Sequence, residues 1–289
     1  MRDLAGDAGL RHFSLNTGTV RAYGDFLAVL EKAKRHGIWQ VSPWREQVHG
    51  VGLDRAARAL RDGGDRLSGY CRGGFFPADA VQHVAVRDDN RRAVDEAAAL
   101  GAPCLVIVVG GLPQFSRDGA APSRDIAGAR AQVHDGLAEL LDYAEAARMP
   151  LALEPLHPMT AAQRSCVNTL RQALDLCDAL DPGRSRGLGI TVDVYHVWWD
   201  FEVDEQIRRA GRDRLLAFHV CDWLAPTADL LNDRGMMGDG VIEIPKLRAA
   251  VEAAGYAGPC EVEVLSARWS KRPIDEVLST AIERYRTAC

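Results

Sequence analysis

The 289-residue chain is 47% hydrophobic and 26% charged, and it carries a formal net charge of −5. It contains no uninterrupted apolar stretch of the roughly 18 residues that a membrane-spanning helix needs, which excludes such a helix. Its arginines are scattered rather than gathered into one basic stripe, and this acidic balance argues against a nucleic-acid partner.

Short apolar or β-branched runs alternate with longer segments of helical period, and the alternation repeats eight times. We predict strands at HFSLNT (12–17), GIWQVSPW (37–44), RLSGYCRGG (66–74), CLVIVVGG (104–111), LALEPLH (151–157), LGITVDVYH (188–196), LLAFHVCDW (215–223) and CEVEVLS (260–266). We predict helices at 25–37, 54–64, 90–101, 129–149, 168–180, 203–211, 244–255 and 273–286.

Eight strand–helix units in series predict a single (β/α)₈ TIM barrel that spans residues 1–289. The alternative is an open doubly wound sheet, which usually has fewer strands and a GxGxxG fingerprint after the first strand; none follows HFSLNT. In a barrel, functional groups gather at the carboxyl ends of the strands. Two long loops at these ends, 111–125 and 224–243, are candidate lids or substrate contacts.

Four potential metal ligands lie near the carboxyl ends of the last four predicted strands: Glu154, Asp193, His219 and Glu263. An ionised carboxylate in a buried strand is costly unless it is paired or coordinates a cation. Each residue alone could be a buried ion-pair partner, but four at matching strand ends predict one divalent metal site. Oxygen ligands with a single imidazole favour Mn²⁺, Mg²⁺, Co²⁺ or Fe²⁺, and Zn²⁺ is also possible.

Residues near other strand ends are candidate substrate contacts. Trp44 ends the second predicted strand, and its flat ring suits the C–H face of a sugar, although such rings also pack helices against barrels. Arg72 and His157 could contribute polar contacts. No glycine-rich phosphate-binding loop stands out, which favours an unphosphorylated substrate.

The cellular context is predicted from the N-terminal residues and the cysteines. The start, MRDLAGDAGL, lacks the apolar core of a secretory signal, which predicts a cytoplasmic location. The seven cysteines include no CxxC pair, so we expect unpaired cysteines, mostly in or near the core, in a reducing compartment.

The segments LALEPLHP, TVDVYHVWWD, FHVCDW, RGMMGDG and GYAGPCEVEVLS together resemble the sugar phosphate isomerase/epimerase family, which has a xylose-isomerase-like barrel. This family includes ketose 3-epimerases and inosose isomerases and dehydratases. The resemblance extends over nearly the whole chain and is strongest from the fifth predicted strand onward. It implies the same four metal ligands, contacts from His196 and Arg234 to substrate oxygens, and a homodimer or homotetramer.

Two details within this resemblance concern single positions. Ketose epimerases tend to have Asn after Glu-Pro-x and an acidic residue further on, where this chain has His157 and Thr160. Glu261 and Glu263 face the same side of the last strand by alternation, so either could supply its metal ligand. The position at the carboxyl end and the family's pattern favour Glu263.

The resemblance implies a metal-dependent isomerase or epimerase of a sugar, keto-sugar or keto-inositol. The metal would polarise a carbonyl and stabilise an enediolate, while Glu154 and Glu263 take and return the proton. Loss of a β-hydroxyl or a β-glycoside from the same enediolate would instead make a lyase, as in inosose dehydration or elimination from a 3-keto-glycoside. The remaining alternatives are an endonuclease on the same barrel, which needs a multi-zinc cluster and a basic groove, and a non-catalytic sugar-binding protein.

Overall fold

The computed structural model describes residue 7, residues 9–113 and residues 123–289. Most of the predicted loop 111–125 therefore lies outside the described residues. The strands are β1 Phe13–Asn16, β2 Gln40–Ser42, β3 Arg66–Leu67, β4 Tyr70–Gly74, β5 Leu105–Val108, β6 Leu151–Leu153, β7 Leu188–Asp193, β8 Leu215–Val220, β9 Asp222–Trp223, β10 Arg234–Gly235 and β11 Cys260–Val262.

All eight predicted helices are present, and two short ones, α2 and α7, were not predicted. The α-helices are α1 Phe26–Arg35, α2 Arg45–Val51, α3 Leu53–Gly63, α4 His83–Leu100, α5 Ile126–Ala146, α6 Leu170–Leu180, α7 Val194–Val197, α8 Val203–Arg214, α9 Ile244–Ala253 and α10 Ile274–Ala288. Three 3₁₀ helices complete the described elements: η1 Thr17–Tyr23, η2 Pro158–Thr160 and η3 Trp269–Lys271.

The predicted barrel is confirmed. Nine parallel strands form one sheet in the order β3-β2-β1-β11-β8-β7-β6-β5-β4. Trp44 pairs with Cys71 in a parallel bridge, and the Cys71 N–H donates to the Pro43 carbonyl at 3.0 Å. These contacts bring the two ends of the sheet together into a nearly closed barrel, and β9 and β10 form a separate antiparallel pair.

The third predicted strand, 66–74, consists of two strands rather than one. The Ser68 N–H donates to the Val41 carbonyl of β2, whereas the Tyr70 N–H donates to the Cys104 carbonyl just before β5, both at 3.0 Å. The chain therefore leaves the ladder of one neighbour and joins that of the other around Gly69. This change of partner divides the predicted strand into β3 and β4.

The sixth predicted strand, 188–196, ends three residues earlier than predicted. Asp193 closes β7, and its Oδ1 accepts a hydrogen bond from the Tyr195 N–H at 2.9 Å. An aspartate in this position caps a helix N-terminus. The chain consequently turns into α7, and His196 lies on a helical turn instead of a strand.

Alternation along β1 separates the apolar outside of the barrel from its polar interior. Phe13 is fully buried and meets the Tyr285 ring of α10 edge-on, with the ring centroids 5.1 Å apart. Asn16, on the opposite face of β1, donates from Nδ2 to Glu261 Oε1 at 2.7 Å. The barrel interior can therefore hold charged side chains with polar partners.

All seven cysteines are buried and unpaired, as predicted. Within the part of the chain that the structure describes, no helix is both long and apolar enough to span a membrane.

Arg214, the last residue of α8, is a fully buried cation that ties α6 to β7. Its Nη1 donates to an Asp181 carboxylate oxygen at 2.6 Å and to the Leu188 carbonyl at 2.7 Å. Its Nη2 donates to the Cys177 carbonyl at 3.1 Å. A buried charge of this kind is stable only while its partners remain.

Replacing Arg214 with Ala should lower the free energy of unfolding by about 3–5 kcal/mol, because Asp181 would keep a buried charge without its partner. Arg212→Ala is the matched control, since Arg212 is exposed. It should change the free energy by about 0.5 kcal/mol or less. Urea unfolding followed by circular dichroism measures both values, and equal losses in the two variants would contradict the assignment.

Candidate active site

The four predicted metal ligands come together at the carboxyl ends of adjoining strands. Glu154 directly follows β6, Asp193 ends β7, His219 lies near the end of β8, and Glu263 directly follows β11. One ligand atom from each lies within 4.8 Å of the others, and all four side chains are buried. Three carboxylates and one imidazole at this spacing suggest a divalent metal site.

The orientation of His219 and Glu154 fits a bound cation. His219 Nδ1 lies 3.2 Å from Glu154 Oε1 and 3.6 Å from Glu263 Oε2. Within the described residues, neither His219 Nδ1 nor Glu154 Oε1 makes a hydrogen bond, although both atoms are buried. A buried acceptor without a partner is costly, and a cation shared by these atoms would remove that cost.

Glu261 lies on the far side of His219 from the other three carboxylates. Its Oε1 is 3.3 Å from His219 Nε2, and its carboxylate accepts hydrogen bonds from Asn16 Nδ2 and Ser68 Oγ, both at 2.7 Å. Within the described residues Nε2 makes no hydrogen bond, so Glu261 acts on the imidazole through its charge, on the side away from the Nδ1 atom that faces Glu154 and Glu263. A carboxylate on that side suits the orientation of a ligating histidine. Glu263 therefore belongs to the candidate ligand cluster, and Glu261 lies beside one of its members.

Arg234 is a buried cation in contact with two of the ligands. Its Nη1 donates to Asp193 Oδ2 at 2.9 Å and to Glu263 Oε2 at 3.1 Å. Its guanidinium carbon lies 4.4 Å from the centroid of the Tyr195 ring. The structure thus brings Arg234 into the cluster, where its charge offsets part of the buried negative charge.

The charges of the cluster shift the pKa values of its members in different directions. Burial raises the pKa of Glu154, and the negative charge of Glu263 adds to the increase. Burial alone would also raise the pKa of Glu263, but the charge of Arg234 and the contact with His219 lower it. For His219, burial is outweighed by the carboxylates of Glu261 and Glu154, which raise its pKa. These directions show an excess of negative charge around the imidazole.

His196 adjoins Arg234 and faces a hydrogen-bond donor at each ring nitrogen. The backbone N–H of His157 lies 3.1 Å from His196 Nδ1, and Arg234 Nη2 lies 3.1 Å from His196 Nε2. Burial, reinforced by the charge of Arg234, lowers the pKa of His196 to about 3, so the ring is neutral. A neutral imidazole accepts at one nitrogen and donates at the other, whereas the guanidinium of Arg234 can only donate. Arg234 is therefore the fixed donor of this pair.

The His157 ring packs against aromatic rings and does not line the cavity beside the ligand cluster. It stacks on Trp223 with ring centroids 4.6 Å apart, and it meets Trp199 edge-on at 5.8 Å. Burial lowers the pKa of its imidazole. His157 contacts the site through its backbone N–H to His196. The substrate contact expected of its side chain stays a prediction.

A small cavity of about 30 Å³ lies beside the ligand cluster. Trp44 and Arg72, two of the predicted substrate contacts, line it, and the loop 224–243 contributes Leu230 and Leu231 to its wall. Its lining residues are Trp44, Cys71, Arg72, Val108, Glu154, Leu156, Thr160, Arg164, His196, Leu230, Leu231, Arg234, Glu263 and Leu265. The ligands come from β6, β7, β8 and β11, whereas Trp44 and Arg72 come from the part of the barrel around β2 and β4.

Asp222 is a buried residue of the site region that the sequence did not reveal. Its carboxylate accepts hydrogen bonds from the N–H groups of Gly238 at 2.9 Å, Gly240 at 2.8 Å and Ile242 at 3.0 Å. A Cβ on Gly240 would lie 2.1 Å from the Trp223 carbonyl oxygen, so only glycine fits there. The glycines of RGMMGDG therefore allow the loop after Arg234 to fold onto Asp222.

The comparison with protein families agrees with this geometry. The model for the xylose isomerase-like TIM barrel matches residues 7–288. The chain belongs to this family. The resemblance seen in the sequence is thereby confirmed at the level of the family. No curated protein matches the chain.

Solved structures similar to this chain include one at 52% identity and others at 20% or below. Protein SMc04130 from Sinorhizobium meliloti 1021 is 52% identical, with a TM-score of 0.91 over 97% of this chain and 99% of that chain. The IOLI protein with a bound zinc atom is 20% identical, with a TM-score of 0.76 over 94% of this chain and 96% of that chain. The 3-keto-D-glucoside 4-epimerase YcjR from E. coli is 17% identical, with a TM-score of 0.72 over 96% and 99%. The last two show the fold alone.

The arrangement of His219 and Glu261 predicts how metal affinity responds to mutation. His219→Ala should abolish measurable Mn²⁺ binding, because it removes a ligand. Glu261→Gln should weaken binding by about 10–100-fold, because it removes the carboxylate that orients the ring. Glu205→Gln changes an exposed carboxylate and should leave affinity unchanged. Isothermal titration calorimetry measures all three, and unaltered affinity in His219→Ala would rule out the site.

Proposed function

We propose that this protein is a divalent-metal-dependent isomerase or epimerase of a sugar, a keto-sugar or a keto-inositol. The observation that carries the proposal is the convergence of three carboxylates and one imidazole within 4.8 Å beside a cavity at the carboxyl ends of the strands. Two distant relatives add support, since one is a 3-keto-D-glucoside 4-epimerase and the other binds zinc.

Glu154, Asp193, His219 and Glu263 would hold the cation. Mn²⁺ is our first choice because oxygen ligands predominate, and Zn²⁺ comes next because of the zinc in the IOLI protein. When bound, the cation supplies a Lewis acid that polarises a carbonyl and stabilises the charge that develops on its oxygen.

Glu154 and Glu263 would move the proton. They follow β6 and β11, with β7 and β8 between them, so they reach the cavity from different strands. One glutamate takes the proton from the carbon beside the carbonyl, and the other, or a water molecule, returns a proton. Return to the opposite face of the same carbon gives epimerisation, whereas return to the adjacent carbon gives isomerisation.

His196 and Arg234 would bind the substrate oxygens during this transfer. Arg234 Nη2 lies 3.1 Å from His196 Nε2 at the wall of the cavity. A donor fixed before the reaction, such as Arg234, stabilises an oxygen that gains negative charge as the proton leaves. The neutral His196 ring would donate to a substrate oxygen from one nitrogen and accept from a substrate hydroxyl at the other.

The alternatives differ from this proposal in measurable ways. A lyase shares the first proton removal but then releases water or another β-substituent. An endonuclease on this barrel needs several metal ions. Within the described ranges, the four candidate ligands, here called the metal-ligand quartet, form the one cluster of metal-binding side chains. A non-catalytic sugar-binding protein would show no turnover, with or without the cation.

Solvent exchange tests the proposed function directly. The Mn²⁺-loaded protein should incorporate deuterium from D₂O into one member of a panel of keto-sugars and inososes, without loss of mass as water. EDTA should abolish the exchange and Mn²⁺ should restore it. Mass spectrometry and ultraviolet absorbance are read together. A new enone or diketone band would identify a lyase instead, and exchange that resists EDTA would refute the metal-dependent mechanism.

Glu154→Gln and Glu263→Gln should each reduce turnover on the substrate found in that panel by about 10² or more, because each change removes a candidate acid or base. His196→Ala is the matched comparison, since it removes a substrate contact and leaves the four ligands intact. It should raise KM or lower kcat while metal content stays unchanged. Near-normal turnover in either glutamine variant would overturn the assignment, and metal loss from His196→Ala would make His196 a ligand.

A further inference from the structure

Among the residues that the structure describes, two half-buried arginines in the wall of the cavity, Arg72 and Arg164, have no ion-pair partner, whereas several fully buried arginines do. Arg45, Arg214 and Arg234 each form ion pairs with carboxylates at 3.1 Å or less. The side chains of Arg72 and Arg164 form no hydrogen bond or ion pair with any described residue, and the Nε of Arg72 is buried without a partner. Unpaired guanidinium groups beside a cavity are donors for a ligand.

Arg72 is held in place by aromatic rings. Its guanidinium carbon lies 4.5 Å from the centroid of the Phe75 ring and 5.9 Å from that of Trp44. Stacking on rings fixes the plane of the guanidinium but leaves its N–H edge without an acceptor. The side chain is therefore oriented without any contact that satisfies its donors.

Arg164 lies beyond η2, in the segment that follows β6, so it approaches the cavity from a different strand than Arg72 does. Burial and the positive charge of Arg72 lower the pKa of Arg164, and the negative charge of Glu154 offsets only part of this decrease. Two cations thus face the same space, on the side of the cavity formed by β4, β5 and β6. Two such cations repel each other unless an anion lies between them.

The balance of charge in the cavity also favours an anionic ligand. Arg72, Arg164 and Arg234 offset the three carboxylates of the metal-ligand quartet. A divalent cation would then leave two positive charges in excess, or one when the buried Glu261 is counted. A neutral sugar would not compensate this excess, whereas an anionic one would.

We propose that the substrate carries a carboxylate or a phosphate, and that Arg72 and Arg164 bind this group on the β4–β6 side of the cavity. Guanidinium groups suit both anions because their paired N–H donors match two acceptor oxygens. The inference rests on the proposed function, since it assigns the charge of the substrate on which the metal and the glutamates act. The missing glycine-rich loop favoured an unphosphorylated substrate. The proposal instead gives the substrate a negative charge, carried by either a carboxylate or a phosphate.

Three probes that differ only at C6 test the proposal: D-fructose, D-fructuronate and D-fructose 6-phosphate. Their binding to the Mn²⁺-loaded full chain is measured by calorimetry. At least one anionic probe should bind about tenfold or more tightly than D-fructose, since a hydrogen bond to a charged group contributes a factor of this size. The tighter of the two anionic probes identifies the anion as carboxylate or phosphate.

Arg72→Gln and Arg164→Gln should each weaken binding of the preferred anion by about tenfold or more and leave the affinity for D-fructose unchanged. Arg58→Gln removes an exposed positive charge outside the cavity and should change neither affinity. Thermal melts confirm that the variants are folded. Where a glutamine variant does not fold, the lysine variant keeps the charge but loses the two-donor geometry, and it should show an intermediate loss.

Three results would overturn the inference: equal affinity for all three probes, no binding of either anion at millimolar concentration, or an anion preference that survives in both glutamine variants. Failure of the proposed function gives a different result. It would appear as a preserved anion preference in a protein that exchanges no substrate hydrogen with solvent. Exchange of D-fructose without any anion preference would count against the anion site alone.

Discussion

Buried negative charge at one side of the barrel mouth is the constraint on which the rest of the site depends. Glu154, Asp193 and Glu263 lie within 4.8 Å of one another and are almost inaccessible to water. Carboxylates in such a place persist only if positive charge lies among them. Arg234 supplies one such charge. The buried atoms of His219 and Glu154 that make no hydrogen bond within the described residues indicate the position of a second positive charge.

The ligands are held by a second set of residues that extends through the barrel interior. Asn16 links two parts of the site, because its Nδ2 donates to Glu261 while its Oδ1 accepts from Trp44 Nε1 at 2.7 Å. Glu261 in turn faces His219. One wall of the cavity is thus connected by hydrogen bonds to Glu261, whose carboxylate lies 3.3 Å from the candidate ligand His219.

The fold and the metal quartet were predictable because both follow from patterns that repeat along the chain. Alternating strands and helices indicate a barrel, and a charged residue at the end of an apolar run marks its functional face. Residues whose roles depend on distant parts of the chain were less visible. Glu261 and Glu263 share one face of a strand, and only the position of His219 separates orienting residue from ligand. Arg164 lies in a short segment without periodicity, so no local signal places it beside Arg72.

The errors in the predicted elements have similar causes. The division of 66–74 arises from a change of hydrogen-bonding neighbour, which is a property of the closed sheet rather than of the segment itself. The early end of β7 depends on the Asp193 side chain, which is both a candidate metal ligand and the cap of α7. The ring of His157 packs against two tryptophans on later segments, which no pattern within its own segment indicated.

The four ligands occupy adjoining strands, whereas Trp44 and Arg72 stand on another part of the barrel wall. The two halves of the site are joined through Asn16 and Ser68, which bind Glu261. Substitutions around β2 and β4 that keep these hydrogen bonds can change which molecule is accepted without disturbing the groups that would move its proton. An ancestral barrel with this layout could diversify by exchanging one wall while inheriting its chemistry unchanged.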